Sequence, residues 1–473
     1  MLIKIHELDN VGVLENGHKQ ALEDIKKGEK VIKYGFPIGF ASADIKKGEP
    51  VHSHNLKSGL KGVLEYRYEP SPPIPLSFEG SGLAKTFMGY RRKDGSVGVR
   101  NEVWIINTVG CVNKTCEKLA AEADRRFGAA YETDGFYAFA HPHGCSQLGD
   151  DHERTRKVLA GLVMNPNAGG VLVVGLGCEY NFVDAFKETL GGYDPGRVKF
   201  MVAQETDDEI GTGLALLEEL AAYASAFKRS VCGVSELKAG LKCGGSDGFS
   251  GLTANPAAGG FSDRLISFGG AAALTEVPEM FGAETILMNR CVSEEIFNKT
   301  AALINNYKQY YMRYGQPVYE NPSPGNKAGG ITTLEEKSLG CVQKGGTSPV
   351  TDVIGVGERI KTKGLTLVDG PGNDIVASTS LAAAGCQLIL FTTGRGTPYG
   401  APVPTVKIST NAALAEKKPH WIDFNAHGAV AHGAAVVADR LYEYVIKVAS
   451  GERTKNELHG YREIAIFKDG VTL

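Results

Sequence analysis

From about Gly82 onward, short apolar runs alternate with stretches of helical periodicity, and this alternation constrains the fold more than any other feature. Residues 102–109, 135–140 and 170–176 read as buried strands. Residues 114–127, 152–164 and 208–229 read as the helices that connect and follow them. Such a rhythm requires a parallel sheet with right-handed crossovers. Beyond Val231 it resumes, with candidate strands at 236–241, 271–276, 364–368 and 387–391. Residues 319–326, rich in proline and asparagine, read as an irregular loop. In an open α/β sheet, ligands bind beyond the carboxyl ends of the strands. Four of the nine cysteines fall there: Cys111, Cys145, Cys178 and Cys243 each follow one of these runs by a few residues. Sulfur scattered along the chain is therefore expected to gather at one crevice.

The 473 residues suffice for two or three domains. A 42% apolar and 22% charged composition is that of a globular protein. The net charge of −3, without a polybasic run, argues against nucleic acid or an anionic membrane as partner. The first residues lack the apolar core of a signal peptide, and no apolar stretch is long enough to span a bilayer, so a cytoplasmic location is expected. An odd number of cysteines without an export signal points to reduced thiols, not a disulfide framework.

The N-terminal segment carries an internal repeat. Asp24-Ile25-Lys26-Lys27-Gly28-Glu29 returns as Asp44-Ile45-Lys46-Lys47-Gly48-Glu49, each copy followed by a strand-like stretch. This predicts a small, pseudo-symmetric all-β domain over residues 1–68. The proline-rich residues 69–81 read as an extended linker. A first α/β domain is expected over 82–230 and a second over 231–473.

Small, polar and charged residues recur where the strands end: Gly110-Cys111, His143-Gly144-Cys145, Gly177-Cys178-Glu179, Cys243-Gly244-Gly245-Ser246-Asp247, Glu276 and Gly394-Arg395-Gly396. Thiolates and imidazoles select zinc, iron or an iron–sulfur cluster. Without a local C-x₂-C pair, a structural zinc knuckle is not expected. The alternative is that these thiols pack beneath glycine-rich turns. A rival site lies in the β domain, where His52 and His54 are expected on one face of a strand, with His18 nearby. Arg395, in a glycine-rich loop, suits capture of a carboxylate. Asn321, Ser323, Asn326 and Lys327 could bind the hydroxyls of a polyhydroxy acid, and Lys19 could reach the crevice beside His18. Neither a dinucleotide fingerprint nor a P-loop is present, so NAD, FAD and ATP are not expected.

Gly17-His18-Lys19, Val51-His52-Ser53-His54-Asn55, Val109-Gly110-Cys111-Val112-Asn113 and longer segments through Ala465–Leu473 resemble the altronate/galactarate dehydratase family over nearly the whole chain. The resemblance implies an N-terminal SAF-type β-clip domain and a large Rossmann-like α/β catalytic region in two parts. It implies iron-dependent loss of water from D-altronate to 2-dehydro-3-deoxy-D-gluconate in hexuronate breakdown, and the His52/His54 pair is similar to the altronate branch rather than the galactarate branch. The metal expected is Fe²⁺ or an iron–sulfur cluster, with Mn²⁺ as a variant. Its expected ligands come from Cys111, Cys145, Cys178, Cys243 and His52. His18, His54 and Glu276 are the candidate general bases. A homo-oligomer acting on a small sugar acid is expected. A related acid lyase acting on galactarate, or a sugar-acid-binding protein without turnover, is the competing reading.

Overall fold

The computed structural model describes residues 2–473. The N-terminal part consists of two small antiparallel sheets. One has the order Leu2–Ile3, Val11–Leu14, Lys19–Ala21, Pro50–Val51; the other has the order Lys30–Lys33, Phe36–Ala41, Leu56–Lys57. The repeat is used as a clasp about a local two-fold. Ile25 and Ile45 exchange backbone hydrogen bonds of 2.8 Å each. Asp44 accepts from Lys27 N and Asp24 from Lys47 N, both at 2.9 Å. Each Asp-Ile-Lys-Lys-Gly-Glu copy thus closes on the other. A module this small exposes much of its apolar surface when alone. Its core residues Ile25, Val31, Ile38, Ala41 and Ile45 accordingly merge into one hydrophobic cluster with Ala254, Phe281 and Leu339 of the C-terminal part.

The strand expected to carry His52 and His54 is interrupted. Strand Pro50–Val51 ends before His52, and the chain turns until strand Leu56–Lys57. Asn55 causes this: its side chain accepts from His52 N at 2.9 Å, while Asn55 N and Leu56 N both donate to His52 O at 2.9 Å. The two histidines therefore do not share a strand face.

The middle part holds a four-stranded, all-parallel sheet of order Phe136–Ala138, Glu102–Asn107, Ala168–Gly175, Val198–Val202. A small antiparallel sheet pairs Thr86–Arg91 with Val97–Gly98 and with Arg229–Gly233. The helix expected to reach residue 229 stops at Ser225, because Arg229 is already paired with Tyr90 in that sheet. The C-terminal part is a seven-stranded parallel sheet of order Val350–Ile354, Gly364–Val368, Ala271–Leu274, Lys238–Cys243, Leu388–Thr393, Thr405–Ser409, Phe424–Asn425. Its central strands are buried along their whole length, as parallel strands covered on both faces must be. Among the described residues, no helix is long and apolar enough to cross a membrane.

Both parallel sheets reverse their strand order. In the four-stranded sheet the reversal lies between Glu102–Asn107 and Ala168–Gly175; in the seven-stranded sheet one reversal lies between Lys238–Cys243 and Leu388–Thr393, and a second near the edge, where Val350–Ile354 lies outside Gly364–Val368. Loops leaving the carboxyl ends at such a point diverge and leave a crevice. The molecule therefore has crevices in two sheets where the sequence suggested one.

Candidate active site

Cys111 and Cys178 flank the reversal of the four-stranded sheet, and Cys145 follows its neighbouring strand Phe136–Ala138. The three loops are knitted together. Gly110 N donates to His143 O at 2.8 Å, and Asn181 N to Gly144 O at 3.1 Å. Glu179 accepts from Thr108 Oγ1 at 2.7 Å, and Asn181 Nδ2 donates to Thr108 O at 3.0 Å. Gly144 is required there, since a Cβ would fall 2.0 Å from Thr108 O. Cys111 and Cys178 are exposed and Cys145 is half-buried, whereas Cys116 and Cys386 are buried thiols whose pKa burial pushes up to about 12.

Cys243 stands apart from these three. It ends a strand of the other sheet, buried against Ser246 Oγ at 2.8 Å and Asn255 Nδ2 at 3.8 Å. The neighbouring Cys341 thiol, helped by the charge of Lys344, holds its thiol below the usual range although burial works the other way. The expectation that all four sulfurs share one crevice fails because their strands belong to two sheets. Among the described residues, no group of three or more His, Cys, Asp or Glu side chains is placed to hold one metal ion.

Around Cys243 lies a buried charge network. Glu276, whose backbone is left-handed at φ 66°, accepts from Cys243 N at 3.0 Å and Lys344 Nζ at 2.7 Å, and also pairs with Lys242. Lys242 further contacts Asp374 at 2.8 Å. Glu279 pairs with Lys337 at 2.8 Å and accepts from Cys341 at 3.1 Å. Burial works against ionising Glu279, but Lys337, Lys242 and Lys344 more than offset it and lower its pKa. Non-glycine residues at positive φ cluster at functional sites, where surrounding contacts hold the strain. Glu276 is thus found at the site, with both carboxylate oxygens already occupied by cations.

The β module closes over the same crevice. Gly17 packs on Gly248, where a Cβ on Gly248 would fall 1.9 Å from Gly17 O, and Gly248 N donates to Gly329 O at 2.7 Å. This brings half-buried His18 to the crevice rim, its ring 6.0 Å from that of His52. His52 faces Lys327 O through Nε2 at 3.0 Å and Ser53 through Nδ1 at 3.0 Å. Nε2 must therefore carry a proton, and burial lowers the pKa of the ring. His54 is exposed in the turn. Lys19 is buried, its ammonium spent on Gly330 O at 2.6 Å, Thr332 Oγ1 at 2.8 Å and Glu336 at 2.8 Å. It fastens the module instead of facing the crevice.

The expected loop over 319–326 ends in a short helix, Pro324–Ala328. Ser323 and Asn326 form its reciprocal capping box, and Asn326 Nδ2 donates to Ser246 O at 2.9 Å. Asn321 accepts from Lys337 at 3.2 Å. These three polar side chains therefore shape the crevice wall, leaving Lys327 partly exposed on it. Arg395 is exposed at the reversal, with its backbone N donating to Gly245 O at 2.9 Å. A cavity of about 530 Å³ opens beside the Asp369–Pro371 loop, but Asp369, Arg154 and Arg313 on its wall already have partners: Tyr307 at 2.9 Å, Asp151 at 3.0 Å, and Asp469.

Sequence reasoning missed Lys242, Lys344, Lys337, Glu279 and Asp374. One signal was available: Lys242 interrupts the apolar run that begins at Ala239, and lysine is almost never buried without a partner.

Comparison with known proteins agrees with this organisation. Residues 13–59 match the altronate/galactarate dehydratase SAF domain. Residues 89–225 match the second domain of D-galactarate dehydratase/altronate hydrolase, and residues 234–472 the C-terminal region of D-galactarate/altronate dehydratase. Altronate dehydratase of Bacillus subtilis is 53% identical over 100% of this chain and 99% of its own. Galactarate dehydratase (L-threo-forming) of Escherichia coli is 32% identical over 98% and 96%. The (2R)-sulfolactate sulfo-lyase of Chromohalobacter salexigens divides its likeness between two subunits. Its β subunit is 32% identical over 81% of this chain and 97% of its own length; its α subunit is 48% identical over 42 residues, 9% of this chain and 45% of its own. With all three segments matched in order and the likeness running end to end, the chain belongs to the altronate/galactarate dehydratase family.

Proposed function

We propose that the protein is a cytoplasmic hydro-lyase that removes water from D-altronate to give 2-dehydro-3-deoxy-D-gluconate. The observation that carries this reading is the 53% identity to an altronate dehydratase over the full length, against 32% to a galactarate dehydratase. The reaction takes the proton from C2, beside the carboxylate, and expels the hydroxyl from C3. The C2–H electron pair becomes the C2=C3 bond as the C3–O pair leaves with oxygen, and the enol then tautomerises to the keto acid. Arg395, exposed at the crevice, and Lys327, partly exposed on its wall, are offered to the substrate carboxylate and distal hydroxyls. His18, at the rim, is offered as the donor that protonates the departing hydroxyl. We read both parallel regions as Rossmann-like, a reading their strand-order reversals support.

Iron is part of the proposal, with Cys111, Cys145 and Cys178 as its holders. Three cysteine thiols would suit an iron–sulfur cluster as donors, since such clusters are held by cysteine thiolates. Bound there, such a group would supply Lewis acidity. The cysteine loops also offer a polar surround in Glu179, Gln147 and His143. Assaying keto-acid release from altronate and galactarate in parallel, anaerobically with ferrous iron and reductant, tests the activity. Turnover of altronate well above galactarate is expected; binding of altronate without keto acid would replace the enzyme reading by the binding-protein one. Cys178→Ser should lose bound iron and Cys116→Ser should keep it, measured by metal analysis. Equal iron in both variants would remove the ligand assignment.

A further inference from the structure

Glu276 is saturated by two lysines and a backbone amide, and His54 is exposed in a turn of the β module, so neither is a free base held in the buried network. One carboxylate of the buried network is different. Asp374 opens the helix Asp374–Ala383 after the glycine-rich loop that leaves strand Gly364–Val368. Its side chain is 38% exposed, while Lys242, which contacts it from behind, and Glu276, on the far side of Lys242, are 0% and 1% exposed. It also lies directly over the floor of the crevice. A Cβ on Gly244 would fall 2.6 Å from both Asp374 oxygens and 2.6 Å from the Phe391 ring. The next residue, Gly245, is exposed and carries the Arg395 backbone on its carbonyl at 2.9 Å. The Asp374 carboxylate and the Arg395 backbone thus border a glycine floor at the strand-order reversal, where ligands bind in such sheets. The same Gly244–Gly248 loop bears Gly17, next to His18, at its other end.

We infer that Asp374 is the base that takes the C2 proton, with Lys242 as its positioning residue; this rests on the dehydratase reading above. The proton passes from C2 to the Asp374 carboxylate, the C3 hydroxyl leaves with a proton from His18 as water, and both groups return to their starting states through solvent. Lys242 fixes the carboxylate through its 2.8 Å contact and is itself immobilised by Glu276 and by Cys243 O at 2.8 Å. The other titratable groups facing Asp374 are Lys407, from strand Thr405–Ser409, and Tyr399, with Glu279 beyond Lys242.

The test compares the unaltered full-length protein with Asp374→Asn and Asp374→Glu on D-altronate, supplied anaerobically with ferrous iron. Asp374→Asn should lose at least about 100-fold in kcat, the scale of a general base, with little change in KM. Asp374→Glu should retain part of the activity and move the acid limb of the kcat–pH profile. An Asn variant that keeps a rate near the unaltered one overturns the assignment. If the Asn variant melts early, the Glu variant decides: an acid limb that stays in place overturns it. Failure of the dehydratase reading looks different, because the unaltered protein would then release no keto acid, and the assignment would fall with it.

Discussion

Glu336 holds two buried ammonium groups at once, Lys19 and Lys33, each at 2.8 Å and each 1% exposed or less. Burial would raise the pKa of this carboxylate; the two lysines more than offset that and hold it at about 2. In the unfolded chain a glutamate titrates near ~4.3. As pH falls, the unfolded state therefore takes up the proton first. The stabilisation from Glu336 is complete above about pH 5 and fades toward about pH 2. Glu336→Gln would leave two buried cations without their counter-ion, a loss of about 3–5 kcal/mol. Urea unfolding at neutral pH should show the lower midpoint, with a gap between variant and parent that closes in acid. A midpoint unchanged at neutral pH would mean that water reaches the pair. Glu336 was invisible in sequence, because its meaning depends on two lysines some 300 positions away that look like ordinary surface residues.

At the scale of elements, strand signals were legible where burial on both faces makes a run continuously apolar, as in Ala168–Gly175 and Gly364–Val368. They failed where a side chain redirects the backbone, as Asn55 does after His52. The closing segment is another element that periodicity could not reveal, since its partners are remote. Asp469 N and Gly470 N donate to Asp151, and Thr472 bridges to Gln147. Leu473 N donates to Ser146 O at 3.0 Å, beside Cys145. On its other side, Phe467 stacks edge-on against Tyr310 at 5.5 Å, and Tyr314 OH donates to Asp469 O at 2.9 Å. The segment thus straps the Cys145 loop to the helix Glu294–Arg313 of the C-terminal part. Deleting residues 467–473 should free that loop. Alkylation of Cys145, followed by mass spectrometry, should quicken relative to Cys178 while the circular dichroism of the helices stays unchanged. Equal quickening of both thiols would indicate general loosening instead of a released strap.

For the molecule as a whole, the sequence made the parallel α/β architecture and the β module readable, because both are written in local patterns. It could not show that the strands sort into two sheets, which separates Cys243 from Cys111, Cys145 and Cys178. That sorting is set by which apolar faces bury each other, and the cysteines carry no trace of it. The β module is held by contacts that owe nothing to chain connection: the Lys19–Glu336–Lys33 bridge, His52 on Lys327 O, Thr333 Oγ1 on Ile38 O at 2.5 Å, and the shared core. Residues 58–71 continue this docking, with Gly59 N donating to Glu335 at 2.8 Å, Tyr68 OH to Cys291 O at 3.0 Å and Ser71 N to Asn289 O at 2.8 Å. By contrast, Gly80 and Gly82 have open space around them. Residues 1–79 and 80–473, produced together as separate chains, should therefore co-purify and turn over altronate at a rate close to the intact protein. The Glu336→Gln change placed in the larger piece should weaken their association and raise the concentration at which activity appears. Pieces that separate on gel filtration at micromolar concentration, with activity restored only by religation, would show that the linker itself holds the module over the crevice.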